Sequence, residues 1–134
     1  MDEKMTYAVY VDLLRIHKEF CKKDPNYNER ELFVQKINVI NSNHNSCFCF
    51  SMCNALYNWF LKGFIGITDI GKYYSELWHF HKAYLNQPIN ELDWGKTVKE
   101  AEALSGTYKI EACEDMVLAI VTDLDSRIKQ QAGA

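Results

Sequence analysis

A chain of 134 residues, 48% hydrophobic and 25% charged, is expected to form a single globular domain over residues 1–134. Its net charge of −3 and pI near 5.8 argue against nucleic acid as a ligand, because neutralising phosphates takes clustered Lys and Arg; the densest basic group is Lys18, Lys22 and Lys23, interrupted by Glu19. The longest fully apolar run, Met116 to Val121, is far below the ~20 residues that span a bilayer, so no membrane association is expected.

The first predicted helix runs from Glu3 to Lys23. Val9, Leu13, Ile16 and Phe20 recur at helical spacing, and Tyr10, Leu14, His17 and Cys21 widen the same stripe. Asp24-Pro25-Asn26 ends it, because the residue before proline is driven out of the α region. A second helix is predicted from Asn28, where Glu31 completes a capping-box-like pair, and Phe33, Ile37 and Ile40 line its buried face. Residues 41–46 read as a polar connection.

The third helix, His44 to Lys62, holds Cys47, Cys49 and Cys53 among Phe48, Phe50, Met52, Tyr57 and Trp59, and Gly63 is its stop. A fourth helix runs from an N-cap at Thr68 to Asn86, with Pro88 beyond it. Its apolar stripe is Ile70, Tyr73, Tyr74, Leu77, His81, Tyr84 and Leu85. A fifth spans Leu92 to Leu104 and stops at Ser105-Gly106. The last spans Lys109 to Gln131 and is apolar nearly all round its middle, as suits a helix inside the domain. No run alternates with period two, and no repeat is visible along the chain. The expected fold is all-α, a single-domain bundle of five to six helices.

The cysteine segment invites a metal reading, with His44, Cys47, Cys49 and Cys53 as ligands. Its spacing is not the paired C-x2-C arrangement that brings two sulfurs to one metal. On a helix, Cys47 points about 160° away from Cys49, whereas Cys49 and Cys53 share a face. Buried structural thiols are the simpler reading. Cys47, Ser51, Asn54, Asn58 and Lys62 form a narrow polar strip on an otherwise apolar helix, which leaves more apolar surface than a small domain readily hides.

Other candidate chemistry is sparse. Glu76 and His79 have the Glu-x-x-His spacing of bundle metal sites, but the second such pair is missing and both fall on the polar face with Lys72. His17 and His81 sit on apolar stripes, where hydrogen-bonded core histidines are commoner than catalysts. A Cys–His pair through Cys21 or Cys113 has no supporting motif. No phosphate-cradling loop, G-x-S-x-G or H-E-x-x-H occurs, and no cofactor is expected. Five cysteines, with no basic-then-apolar order in Met1-Asp-Glu-Lys-Met5, suggest a cytoplasmic protein with free thiols and no secretory leader.

Tyr and Trp are favoured at interfaces because they bury large areas with few rotors. The expected function is therefore non-enzymatic protein binding, by self-association or as an adaptor or inhibitor of a larger protein. Phe48, Met52, Tyr57 and Trp59 of the third helix and Tyr73, Tyr74 and Trp78 of the fourth are the candidate partner-binding residues. The alternative is a metal- or thiol-dependent protein using the His44/Cys47/Cys49/Cys53 group. A small-molecule pocket lined by Tyr73, Trp78 and His81 is a third possibility.

Overall fold

Each of five helices opens on a short polar side chain that accepts a hydrogen bond from the backbone N–H three residues on: Asp2, Asn26, Ser46, Asp69 and Asp93. Such a cap is worth about 1 kcal/mol, and it sets where each helix begins. The computed structural model describes residues 2–133. The helices are α1 (Glu3–Phe20), α2 (Tyr27–His44), α3 (Cys47–Leu61), α4 (Ile70–Leu85), α5 (Trp94–Tyr108) and α6 (Glu111–Gly133), with a 3-10 turn at Ile89–Glu91. No strand occurs among the described residues, and none of their helices is long and apolar enough to cross a membrane. The protein is an all-α bundle.

Several boundaries differ from the sequence expectation. The caps of α2 and α4 are Asn26 and Asp69 rather than Asn28 and Thr68. The polar run 41–46 is mostly the last turn of α2, which ends only where Asn45 turns left-handed at φ 46°; Asn tolerates that conformation. Helix α5 runs through Ser105-Gly106 to Tyr108. Its last turn is held by the Tyr108 ring, 4.9 Å from Tyr73, and by the Tyr108 hydroxyl donating to Glu76 at 2.7 Å.

The fold is also a repeat, contrary to the sequence expectation. Helices α3 and α6 open 64 residues apart, at Cys47 and Glu111, and α2 and α5 close 64 residues apart, at His44 and Tyr108. The connection after each closing residue is left-handed, at Asn45 and Lys109, and each donates its backbone N–H four residues back, to Asn41 and Ser105. The Cys49 thiol lies 4.0 Å from the Ile40 carbonyl, and the Cys113 thiol 3.9 Å from that of Leu104. His44 donates to Asp12 at 2.7 Å, as Tyr108 does to Glu76. Fully buried positions pair in the same way: Val9 with Tyr73, Leu13 with Leu77, His17 with His81, Phe33 with Thr97, Met52 with Met116 and Leu56 with Ile120.

Helix α2 touches only α1 and α3, and α5 touches only α4 and α6; the 3-10 turn that precedes α5 contacts α6. The halves α1–α2–α3 and α4–α5–α6 meet through α1 against α4 and α3 against α6. One apolar cluster takes residues from all six helices. The molecule thus has a four-helix centre flanked by α2 on one side and α5 on the other. Few residues are identical between the halves, so the repeat lies in burial and capping, which single-residue matching does not register.

Candidate functional site

Most of the residues singled out from the sequence are inside the bundle. Phe48, Met52 and Trp59 of α3 and Tyr73 and Tyr74 of α4 are buried in the chain's own core. The reason is that α3 and α6 form the most extensive helix contact in the fold, so two apolar helices cover one another. Trp78 is half-buried, between the rings of Tyr7 at 5.2 Å and Tyr10 at 5.5 Å. Tyr57 is also half-buried but lines an open groove.

The four proposed metal ligands do not converge. Helix α3 begins at Cys47, so Cys47 points to solvent while Cys49 and Cys53 point into the core. His44 is taken up by Asp12. No group of three or more His, Cys, Asp or Glu side chains is placed to hold a metal among the described residues. Contact with Cys49 and burial push the Cys53 thiol up, and burial pushes up Cys113, as expected of inert core cysteines. Cys21 and Cys113 bond backbone carbonyls rather than a histidine.

The centre of the bundle carries two reciprocal tyrosine–histidine pairs. Helices α1 and α4 run antiparallel, and each supplies a Tyr and, seven residues on, a His. Tyr10 of α1 meets His81 of α4 at 2.9 Å, and Tyr74 of α4 meets His17 of α1 at 2.8 Å. Neither pair was legible as a pair, although both histidines were expected to be hydrogen-bonded core residues. Burial raises both tyrosines above their ordinary range.

The histidines have different third partners. His17 is stacked on Phe64 at 4.0 Å and meets the edge of Trp59 at 4.7 Å, and burial lowers it to about 4. At the equivalent place His81 meets Asp123, whose carboxylate accepts from Nε2 at 2.7 Å. With Nε2 carrying the proton, Nδ1 of the neutral ring accepts from the Tyr10 hydroxyl. Asp123 also accepts from Arg127 Nε at 2.8 Å, and Arg127 reaches Thr6 at 3.1 Å. Burial lowers His81, against the opposing pull of Asp123. Burial pushes Asp123 up, but His81 and Arg127 outweigh it and hold the carboxyl below its ordinary value.

Trp59 and Asp123 occupy equivalent positions, 64 residues apart, and the clefts beside them differ. Two related clefts lie between α3 and α6. The first, lined by Trp59, Asn58 and Asp115, has a volume of about 290 Å³. There the indole fills the space and donates to the Ile65 carbonyl at 2.8 Å, and Lys62 pairs with Glu111 across the mouth. The second, lined by Asp123, Thr122 and Ser51, opens to about 750 Å³ and has a carboxylate where the first has the indole. Cys47 lies on its rim.

The outer faces of the halves differ as well. On α3, Phe50, Tyr57 and Leu61 lie along one line, spaced by seven and four residues. Phe50 is 57% exposed and Leu61 40%. Across the groove between α2 and α3, of about 390 Å³, they continue into Val34 and Tyr27, with Arg30 and Glu31 on the rim. The equivalents of Phe50 and Leu61 in the second half are Glu114 and Asp125. Leu118, also exposed there, shares this face with the half-buried Val121, between Glu114 and Asp125. Compared with known proteins, the chain matches no family model, no curated protein and no solved structure.

Proposed function

We propose that the protein is a non-enzymatic protein-binding module whose docking surface is the outer face of α2 and α3. The observation that carries this reading is the internal comparison. At equivalent positions of one repeated fold, the first half exposes Phe50 and Leu61 and the second half carries the exposed Glu114 and the half-buried Asp125. The second half therefore serves as a control: this helix does not need apolar side chains there to fold. Leaving large apolar groups in contact with water is unfavourable by about 25 cal/mol per Å², and grouped residues of this kind commonly mark interaction sites. Tyr57, a candidate from the sequence, lies on this face.

The buried histidine pairs favour a structural role for the centre of the bundle. Tyr10 and His81 are sealed from solvent, at 3% and 0% exposure, so neither can reach a substrate.

The test replaces Phe50 by Glu and Leu61 by Asp, copying the second half. The variant is expected to keep its helical content and melting temperature and to lose association with its protein partner, measured by chemical crosslinking in the native host followed by mass spectrometry. A folded variant with an unchanged set of crosslinked partners refutes the reading.

A further inference from the structure

We infer that the occupant of the α2–α3 face is a second copy of this chain, docked like-on-like about a two-fold axis. This rests on the docking surface proposed above and names its partner. Three observations lead to it.

The first is the charge distribution between halves. Residues 1–66 carry eight Lys or Arg and seven Asp or Glu, whereas residues 67–134 carry seven and eleven. The first half is thus near neutral and the second is acidic, by about four charges. A contact between two first halves keeps the two acidic halves at the distal ends, beyond the ~10 Å over which charges interact strongly in 0.1 M salt. A strongly charged partner is not selected, because the face offers it no net charge of opposite sign.

The second is the composition of the rim. Arg30 and Glu31 are adjacent on the groove edge, with Tyr27 donating to Glu31 at 2.8 Å. A rim with one charge of each sign is self-complementary: a two-fold axis can set Arg30 of each copy against Glu31 of the other, as an isologous interface requires.

The third weighs against the head-to-tail alternative. Docking this face on the equivalent face of the second half would press Phe50 and Leu61 against Glu114 and Asp125, and take two carboxylates out of water, one of them paired with Lys129, with no new partner supplied by the apolar side chains. First half on first half avoids that cost, and a two-fold arrangement of this kind closes at two copies instead of growing into a filament.

The experiment is light scattering of the purified full chain across concentration, repeated on three variants. The wild type is expected to be a dimer at about 100 µM, where a micromolar complex is almost fully formed. Phe50→Glu with Leu61→Asp is expected to weaken the dimer by roughly 30-fold or more, the effect of removing buried anchor residues. Arg30→Glu alone should weaken it by roughly 5-fold or more, and Arg30→Glu with Glu31→Arg should restore it, as charge pairing across an isologous rim demands. Circular dichroism of each variant shows whether it is folded.

A monomeric wild type at that concentration overturns the second copy. If the Phe50/Leu61 variant nevertheless loses crosslinked partners in the host, the docking surface stands with a different occupant. A dimer that the folded Phe50/Leu61 variant leaves intact overturns the second copy on this face, because self-association then uses another face, and an unchanged set of crosslinked partners for that variant overturns the docking surface as well. Failure of the double charge swap to restore the dimer overturns the like-on-like arrangement.

Discussion

Mild acid should destabilise this protein through His17 before most of its carboxylates are protonated. The ring is buried against Phe64, Trp59 and Tyr74. Burial lowers its folded-state value from 6.5 to about 4. Between those values the unfolded chain binds the proton and the folded chain does not, so stability falls as pH falls through that window. The loss relative to pH 8 is about 2 kcal/mol at pH 5 and approaches about 3 kcal/mol below pH 4.

That is a sizeable part of the roughly 5–15 kcal/mol that holds a domain together. His81, also lowered by burial, adds to the loss with the same sign. Asp123 does not contribute in this window. Its folded value is depressed below an ordinary value of 3.8, so its contribution is lost only as pH falls beneath that range. Asp115, raised by burial and by Glu111 and Glu114, acts weakly in the opposite direction.

Urea unfolding at pH 8, 6.5 and 5, followed by tryptophan fluorescence, measures the effect. His17→Phe removes the titrating group and leaves the Tyr74 hydroxyl without its partner, at a pH-independent cost of about 1–3 kcal/mol. The variant should be weaker at pH 8 but lose about 2 kcal/mol less than wild type on going to pH 5. A wild type equally stable at pH 8 and 5, or a variant with the wild-type pH slope, would refute the reasoning.

Two further outcomes follow from the site. Asp123→Ala removes the acceptor of both His81 and Arg127 and should cost about 3 kcal/mol, with Asp123→Asn costing less because it keeps an acceptor of the same shape; chemical denaturation decides, and a change within about 0.5 kcal/mol for both would mean that the carboxylate holds nothing together. Native thiol labelling should modify Cys47 fast, and Cys49, Cys53 and Cys113 only at the rate of global unfolding. Mass spectrometry of the labelled chain reads this directly, and early modification of Cys49 or Cys53 would contradict the orientation of α3.

Much of the bundle was legible in the chain. The stripes Val9–Leu13–Ile16–Phe20 and Phe33–Ile37–Ile40 are buried as their spacing predicts, because helical periodicity alone sets which side chains share a face. The strip Cys47, Ser51, Asn54, Asn58 and Lys62 is exposed throughout, and His17 and His81 are hydrogen-bonded core residues. Helix ends were read less well. Pairs such as Asn26 and Asn28, or Thr68 and Asp69, are both competent caps, and the choice between them depends on how the helix must lie to bury its stripe.

The apolar surplus of α3 was real, but its destination was not local information. It is consumed by α6, the second apolar helix, which lies antiparallel against it. What remains exposed is the edge bearing Phe50, Tyr57 and Leu61. The metal reading of the cysteines turned on where α3 begins, and a start at Cys47 separates the thiols.

By itself, then, the sequence determined the helices, their buried faces and the absence of any local catalytic motif, since each depends on neighbours within a turn or two. Only the tertiary structure decided which helices cover one another and that the halves repeat. It alone set His17 beside Trp59 and His81 beside Asp123. Those partners lie 42 residues apart in sequence, and contacts at such separations arise only when whole helices are laid side by side.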